Sequence, residues 1–333
     1  VLLFGWERDL EIDFEIVDST PTEQVRRHVV TALASDLSPK ALALTTGAIT
    51  KSGGNIDRIH RLSRFPVWSY EFLVEGANPA DLRASLMDIA AQEGIDIAVQ
   101  PHDLSRRSSR LVVLDVDSTL IRNEVIDLLA EEAGHGERGR RLTELAMQGE
   151  LDYREALKRR VELLAGSKVE IVDKAISRMV LTAGARTFIR TLKRLGYRVA
   201  IISGGFTHFT DVLAEDLDLD HAYANKLEVT DGVITGRIEG DIVDAEAKAK
   251  LLELVALEEG IPLEQTVAIG DGANDLPMLQ KAGLGIAFNA KPVLVGAADT
   301  SLNVPYLDAI LFMLGVSREE IEAADASDLD TQG

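Results

Sequence analysis

Acidic side chains cluster in two short segments of the sequence. Asp115 and Asp117 lie two residues apart directly after an apolar run, and Asp271 lies in a glycine-rich segment with Asn274 and Asp275. Two close carboxylates repel each other unless a cation binds them, and oxygen-rich side chains in a glycine loop suit a hard cation such as Mg²⁺. If the two segments meet in the fold, the sequence predicts a magnesium site there.

Two other segments could hold an anion beside that cation. Ser203-Gly204-Gly205 follows a second apolar run, and a hydroxyl with glycines at the start of a helix forms a cradle for phosphate. Lys248 lies in a predicted helix and could add a positive charge. Each segment is common when taken alone, so the prediction of a phosphate site depends on all four occurring together.

The overall charge narrows the classes of partner. The 333 residues include 35 basic and 55 acidic side chains, a net charge of −20. This balance argues against nucleic acid, which binds proteins largely through neutralised phosphates, and against an anionic membrane surface. No apolar run approaches the roughly 18 residues of a membrane helix, and no signal peptide is visible. The absence of cysteine suits a cytoplasmic protein.

After position 110 the sequence alternates between apolar strands and helices. This rhythm predicts an α/β domain with a Rossmann-like, doubly wound parallel sheet. Chemistry in such sheets lies at the carboxyl ends of the strands, where the segments described above occur. The predicted strands are Leu111–Leu114, Val199–Ile202, Val267–Ile269 and Leu284–Ala287, and two of the helices between them are Ala185–Leu195 and Ala245–Glu259.

Residues 124–180 interrupt this rhythm with helices alone. An insertion directly after the first strand of the sheet predicts a helical cap over the site. The predicted cap helices are Val125–Ala133, Arg141–Met147, Tyr153–Leu164 and Val169–Met179.

The order of the four segments resembles the haloacid-dehalogenase-like (HAD) phosphohydrolase superfamily over about residues 110–315. The shared pattern is Asp-x-Asp-Ser-Thr, then Ser-Gly-Gly, then Lys, then Gly-Asp-Gly-x-Asn-Asp. Within this superfamily the sequence resembles the phosphoserine phosphatases more closely. Four features of the sequence are typical of the phosphoserine phosphatases. They are Glu124 nine residues after Asp115, the segment Met147–Tyr153 followed by Arg160, the segment Ser203-Gly-Gly-Phe-Thr207, and the segment Gly270–Met278. Tyr153 stands where that family usually has Phe, and either ring can pack.

The resemblance implies Mg²⁺-dependent hydrolysis through a phospho-aspartyl intermediate. Asp115 would be the nucleophile and Asp117 the acid/base. Mg²⁺ would be held by Asp115, the main-chain carbonyl of Asp117, and Asp271. The groups expected to contact the phosphoryl oxygens or to orient those that do are Ser203, the Gly204 amide, Lys248, Asn274 and Asp275.

The resemblance also implies the substrate O-phospho-L-serine and a place in the last step of serine biosynthesis, and the cap residues fit that substrate. Glu124 is an anion suited to the substrate ammonium group, and Arg160 is a planar cation suited to its carboxylate. Met147 and Tyr153 could cover the small side chain and exclude water.

The first hundred residues show a strand, strand, helix pattern twice, which suggests an internal repeat. This pattern resembles a tandem pair of α+β ACT-type regulatory modules, small βαββαβ units. The first copy is expected to contain a strand at Leu10–Val17, a helix start at Asp18 and a helix over Val25–Leu33. The second is expected to contain helices at Ser38–Lys51 and up to about Glu93, and strands at Ile56–Leu62, Val67–Val74 and Ile95–Val99.

Both copies are incomplete by the ACT pattern, so we expect an omitted stretch near Leu37–Ser38. The resemblance implies a homodimer assembled through residues 1–100 and an amino-acid effector near the loop Thr46–Gly54. The predicted boundaries are 1–37 for a partial first module, 38–100 for the second, 101–109 for a polar linker, and 110–333 for the phosphatase domain with its cap at about 124–180.

Three alternatives stay open at this point. The enzyme could be a related phosphotransferase or a phosphatase for another small phosphomonoester, because the core motifs would be the same. It could also be an ACT-based amino-acid sensor with an inactive catalytic domain, although the intact set of Asp and Lys residues argues against this. The first hundred residues could instead form a generic α+β domain without a ligand.

Overall fold

A computed structural model describes residues 27–102, 110–147, 152–290 and 292–331. These residues form two units, a small antiparallel sheet with two helices and a larger, mostly parallel sheet flanked by helices. No helix in the described ranges is long and apolar enough to cross a membrane. The predictions made for residues 1–26 and for most of the linker lie outside the described residues.

The first unit is a four-stranded antiparallel sheet in the order β2-β3-β1-β4. Both of its helices pack on one face of this sheet, where Ile49 and Leu86 meet Val30 and Phe72 in a buried cluster. The chain order is βαββαβ, as an ACT-type module requires. The elements are β1 (Arg27–Ala34), α1 (Pro39–Lys51), β2 (Asn55–Ser63), β3 (Trp68–Glu75), α2 (Pro79–Glu93) and β4 (Asp96–Pro101).

Local capping explains where both helices begin and end, and it confirms the two helix predictions. The hydroxyl of Ser38 accepts a hydrogen bond from the nitrogen of Ala41, and each helix starts with proline. Asn78 caps α2 in the same way, and Gly94 ends it at a φ of 64°. The segment Thr46–Gly54 is mostly helical rather than a loop, because α1 continues to its end at Lys51.

The helix predicted over Val25–Leu33 is wrong, since its described part belongs to strand β1. This strand pairs with both β3 and β4, and seven of its eight residues are buried. A strand buried on both faces shows no alternation, so its apolar spacing also fits a helix. β1 supplies the opening strand that the second module was expected to lack. The boundary at 37–38 therefore cuts through one module, and the fold needs no omitted stretch there.

The second unit contains a seven-stranded sheet in the order β11-β10-β9-β5-β6-β7-β8. All neighbouring pairs are parallel except β7 and β8, which form a hairpin. The four predicted strands are confirmed as β5, β6, β9 and β10. The strands are β5 (Leu111–Leu114), β6 (Arg198–Phe206), β7 (His221–Thr230), β8 (Val233–Glu239), β9 (Thr266–Gly270), β10 (Leu284–Phe288) and β11 (Thr300–Leu302).

Helices α3 to α6 lie between β5 and β6 and form the predicted insertion. The two chain segments that enter and leave it meet at an antiparallel bridge between Ile121 and Leu181. The second inserted helix begins at Gly136, five residues before the predicted start. The helices of this unit are α3 (Val125–Glu132), α4 (Gly136–Met147), α5 (Tyr153–Glu162), α6 (Ile171–Ile176), α7 (Ala185–Arg194), α8 (Thr207–Leu217), α9 (Ala245–Glu258), α10 (Leu276–Lys281), α11 (Pro292–Val295), α12 (Ile310–Met313) and α13 (Arg318–Thr331).

The two units share a hydrophobic core. Leu33 and Ala98, on the face of the small sheet away from its helices, belong to the same buried cluster as Phe312 of the second unit. The side-chain amide of Gln100 donates to the main-chain oxygen of Met313 at 2.9 Å. The small module is therefore packed against the C-terminal helices of the larger one.

Candidate active site

The first acidic motif turns sharply after the central strand. Asp115 directly follows β5, and its nitrogen donates to the oxygen of Ile269 on β9 at 2.9 Å. The next residues, Val116–Leu120, form one wide turn that is closed by a hydrogen bond from the nitrogen of Ile121 to the oxygen of Val116 at 3.0 Å, and within it Ser118 takes a left-handed conformation with a φ of 60°. This turn brings the carboxylates of both Asp115 and Asp117 to the carboxyl end of the sheet, as predicted.

Lys248 is fully buried and is held by two carboxylates. Its ammonium group donates to Asp115 Oδ1 and, at 2.7 Å, to Asp275 Oδ1. Burial alone would lower the pKa of Lys248, but the charges of Asp115 and Asp275 raise it above its ordinary value. The lysine therefore stays protonated and offers a fixed positive charge next to Asp115.

Asp117 connects three segments of the site. Its Oδ1 accepts from the nitrogen of Val125, at the start of α3, at 2.6 Å, and its Oδ2 accepts from the hydroxyl of Ser203 at 3.1 Å. Burial and then the negative charge of Glu124 raise the pKa of Asp117 to about 7, against the lowering effect of both hydrogen bonds. A carboxyl group with that pKa can hold or release a proton near neutral pH.

Three carboxylates form a group whose geometry fits a metal ion. Oxygen atoms of Asp115, Asp271 and Asp275 lie within 4.8 Å of one another. An all-oxygen set with two or three negative charges suits Mg²⁺. The side chain of Asp117 is not in this group, so its predicted contribution is the main-chain carbonyl.

Asp275 also holds the ammonium group of Lys248 in place. Its Oδ2 accepts from the nitrogen of Gly272 at 3.0 Å, which leaves Oδ1 for the lysine. The amide of Asn274 donates to the same Oδ1 at 3.4 Å. The structure thus places Asn274 and Asp275 beside Lys248, where the sequence predicted them.

Residues 203–205, the Ser-Gly-Gly loop, lie at the end of β6 with little room for side chains. The hydroxyl of Ser203 accepts from the nitrogen of Gly205 at 2.8 Å. A Cβ at Gly205 would lie 2.6 Å from Cγ2 of Val125, and one at Gly204 would collide with the hydroxyl of Tyr153. Glycine at both positions lets the main chain approach the cap closely.

Two cap residues lie close to this core. The hydroxyl of Ser118 donates to Glu124 Oε1 at 2.8 Å, which fixes Glu124 next to Asp117. Tyr153 begins α5, and its hydroxyl donates to the oxygen of Val243 at 3.3 Å. Burial raises the pKa of Tyr153 to about 12, so the hydroxyl stays protonated.

Arg160 is on the same helix as Tyr153, two turns later, and is 9% exposed. Its Nε donates to the oxygen of Ala156 at 3.4 Å, and its charge acts on Tyr153. Met147 ends α4, and its side chain lies outside the described part of the chain. The structure therefore brings to one region every predicted site residue whose side chain it describes.

The sequence reasoning missed a contact between the cap and the core. Arg154, next to Tyr153, pairs with Asp244 at 2.5 Å, and Asp244 is the residue that caps α9. Nothing in the spacing of the motifs indicates this pair, since its members are 90 residues apart. It joins the cap to the helix that carries Lys248.

Two family models match the chain. The haloacid dehalogenase-like hydrolase model matches residues 112–280, which include the Asp-x-Asp motif, Lys248 and the Gly-Asp-Gly motif. An ACT domain model matches residues 26–100, which agrees with the module that begins at β1.

Known proteins resemble the chain over most of its length. Phosphoserine phosphatase of Streptomyces coelicolor is 53% identical over 324 residues, 96% of this chain and 79% of that protein. A solved HAD family hydrolase from Salmonella enterica serovar Typhi is 29% identical, with a TM-score of 0.76, over 86% of this chain and 98% of the other.

A solved phosphoserine phosphatase, described as a phospho-aspartyl intermediate analogue, is similar to the second unit. It is 47% identical, with a TM-score of 0.59, and covers 62% of this chain and 98% of its own. The chain thus belongs to the phosphoserine phosphatase family of haloacid dehalogenase-like hydrolases and carries an ACT domain ahead of the hydrolase domain.

Proposed function

We propose that the chain hydrolyses O-phospho-L-serine to L-serine and phosphate through a phospho-aspartate at Asp115, and that this is the last step of serine biosynthesis. The observation that carries the proposal is the buried pairing of Asp115 with Lys248, beside Asp117 and Ser203. Relatives named phosphoserine phosphatase, and a solved one described as a phospho-aspartyl intermediate analogue, support the choice of substrate and intermediate.

In the first step an Asp115 oxygen forms a bond to phosphorus while the bond from phosphorus to the serine oxygen breaks. Burial and the charge of Asp275 raise the pKa of Asp115, whereas Lys248 opposes this rise and reduces the repulsion between Asp115 and the incoming phosphate. Asp117 gives its proton to the leaving serine oxygen. Because the pKa of Asp117 is about 7, a fraction of the protein molecules carries that proton on Asp117 at neutral pH.

In the second step a water oxygen bonds to phosphorus and the bond from phosphorus to Asp115 breaks. Asp117, now deprotonated, takes a proton from the water, so the two steps restore its original state. Ser203, the Gly204 amide and Lys248 would hold the phosphoryl oxygens through both steps, and Asn274 would add a contact there.

The residues present fit a magnesium ion. Asp115, Asp271 and the main-chain carbonyl of Asp117 would hold it, with Asp275 engaged mainly by Lys248. When bound, Mg²⁺ supplies positive charge against the phosphoryl oxygens. Without it, the acidic side chains of this site would repel the substrate.

The cap would select the amino-acid part of the substrate. Glu124 can meet the ammonium group because it lies beside Asp117, at the end of the site where the serine oxygen leaves. Arg160 can meet the carboxylate from α5, while Tyr153 would cover the side chain of the substrate. A related phosphotransferase, or a phosphatase for another small monoester, would have the same catalytic residues but would not require the charges of Glu124 and Arg160.

Phosphate release from phosphoserine with and without Mg²⁺ tests this function. We expect turnover that requires Mg²⁺ and a kcat/KM for phosphoserine above those for phosphothreonine, glycerol phosphate and an aryl phosphate. Equal rates over this panel would contradict the substrate, and no release from any ester would instead favour the amino-acid sensor.

The ACT module would bind an amino-acid effector and assemble the chain into a homodimer. Its outer strand β2 exposes Ile59, which is 54% accessible. Because the module shares a core with the catalytic unit, a single substitution is a cleaner test than deletion. Ile59→Glu should halve the mass in solution, whereas Leu257→Glu, at an exposed site on α9, should not. Masses should be compared with and without L-serine, and a monomeric wild type in both would contradict the dimer.

A further inference from the structure

Asn225 lies against the Ser-Gly-Gly loop but outside every motif described above. It is on β7, with 1% of its surface exposed. Its Nδ2 donates to the main-chain oxygen of Gly204 at 2.8 Å, and its Oδ1 accepts from the main-chain nitrogen of Val243 at 2.8 Å. Because one neighbour is an acceptor and the other a donor, only this orientation of the amide satisfies both.

A break in the strand pairing explains why a side chain is needed here. Ile202 pairs with Tyr223, and the next pair is Phe206 with Asn225, so three residues of β6 lie opposite one residue of β7. The loop therefore leaves the ladder, and the main-chain oxygen at its centre loses its strand partner. The amide of Asn225 replaces that missing bond.

The second bond connects the same side chain to the helix that carries Lys248. Val243 directly precedes Asp244, whose carboxylate caps α9 by accepting from the nitrogen of Ala247 at 2.9 Å. A shift of Val243 would move the start of α9, and with it Lys248 one turn later. One planar amide thus joins the loop to the chain ahead of the lysine.

We infer that Asn225 is a positioning residue for phosphoryl binding, which sets the distance between the Ser-Gly-Gly loop and the ammonium group of Lys248. It acts through Gly204 and Val243 and does not touch the substrate. The inference rests on the proposed function, because it assumes that the loop and Lys248 hold the same phosphoryl group.

Asn225→Asp tests the inference with almost no change in volume. The variant keeps an acceptor for Val243 but turns a carboxylate oxygen toward the oxygen of Gly204, so the loop must move. With Mg²⁺ present, the KM for p-nitrophenyl phosphate and the inhibition constant of inorganic phosphate should both rise about tenfold or more, as expected for a lost buried hydrogen bond. Asn225→Ala, which adds no charge, should change both constants in the same direction.

The matched control is Asn289→Asp, since the amide of Asn289 also donates to a main-chain oxygen, that of Val304 at 3.3 Å, but in a loop after β10. This control should keep both constants. A role in folding alone would reduce the active fraction, which lowers kcat and leaves KM and the phosphate constant unchanged.

Unchanged constants in Asn225→Asp and Asn225→Ala, or failure of both variants to fold, would overturn the inference. A wild type that neither cleaves phosphate esters nor binds inorganic phosphate would overturn the proposed function, and this inference with it. The wild-type measurement therefore separates the two failures.

Discussion

Asp115 and Lys248 depend on each other because both are buried in a chain with excess negative charge. An unpaired ion in such a place costs several kcal/mol, on the order of the penalty measured when buried pairs are broken. Lys248 has a second partner in Asp275, so neutralising Asp115 does not leave the lysine alone. This arrangement allows the chemistry of Asp115 to be tested separately from its role in folding.

Asp115→Asn should lower kcat by at least about a thousandfold, because the nucleophilic oxygen is lost. The melting temperature should stay close to that of the wild type, since Asp275 still neutralises Lys248. Phosphate release and thermal denaturation measure the two effects, and mass spectrometry checks that the introduced amide has not reverted to a carboxylate by deamidation. Asp211→Asn, at an exposed site on α8, is the control and should keep full activity. Substantial turnover by the Asp115 variant would refute its role as nucleophile.

Arg160→Ala should lower kcat/KM for phosphoserine about a hundredfold, because the substrate carboxylate would be left unpaired in a water-excluded site. It should largely spare p-nitrophenyl phosphate, which has no carboxylate. The measurement is kcat/KM for both substrates. Equal losses would mean that Arg160 serves folding or catalysis and would remove the main support for the amino-acid substrate.

Glu124→Gln should also lower kcat/KM more for phosphoserine than for p-nitrophenyl phosphate. The difference between the two substrates should be smaller than in Arg160→Ala. Glu124 also raises the pKa of Asp117 and bonds to Ser118, so its loss should affect every substrate to some degree. Arg160 therefore gives the cleaner test of substrate selection.

Among the secondary-structure elements, helix α5 of the cap meets the start of α9 through two contacts. Tyr153 bonds to the oxygen of Val243, and Arg154 pairs with the adjacent Asp244. The same short segment thus contacts both the cap and Asn225. The cap and the helix that carries Lys248 are consequently joined at this one segment.

Arg154→Ala should raise the KM for phosphoserine a few-fold, because it removes a contact between the cap and the start of α9, with little change in melting temperature. The arginine is 57% exposed, and surface ion pairs contribute only about 0–1 kcal/mol to stability. Steady-state kinetics provide the measurement. Arg159→Ala is the matched control, because Arg159 lies on the same helix and, among the residues that the structure describes, forms its ion pair within that helix, with Glu155. Identical KM values for the two variants would show that the pair of Arg154 with Asp244 does not affect substrate binding.

For the whole molecule, a buried polar contact joins the ACT module to the catalytic unit. Asp96 on β4 accepts from the nitrogen of Asn303 at 2.8 Å and from its side-chain amide at 2.6 Å. Burial raises the pKa of Asp96 to about 6, although both bonds to Asn303 lower it. The folded protein therefore binds a proton at Asp96 more tightly than the unfolded chain does.

This raised pKa predicts a stability that depends on pH. The contribution of Asp96 is fully present below its unfolded pKa of about 4 and is lost as pH rises through about 6. The free energy of unfolding of the wild type, relative to Asp96→Asn, should therefore fall by about 2–3 kcal/mol between pH 4 and pH 7. Urea denaturation at several pH values measures this difference. A difference that is constant with pH would show that Asp96 does not titrate in this range.

The residues of the catalytic core could be predicted because each motif directly follows a predicted strand. Parallel strands of one sheet end at the same edge, so Asp115, Ser203 and Asp271 had to meet once their strands were assigned. The helix boundaries in the ACT module could also be predicted from the sequence. Ser38 and Asn78 cap their helices through hydrogen bonds to residues only two or three positions later in the chain. These features depend on local spacing and on the strand order of a common architecture.

Other features were decided only by the tertiary structure, because they join residues far apart that no periodic pattern connects. Strand β1 has the apolar spacing of a helix, since burial on both faces removes the alternation that marks a strand. Asn225 gains its role from a gap in the pairing of β6 with β7, which the sequence does not reveal. The sequence by itself therefore determined which chemical groups the site contains. The fold determined their spacing, because it alone sets which main-chain oxygens and nitrogens lose their ladder partners and must be held by a side chain.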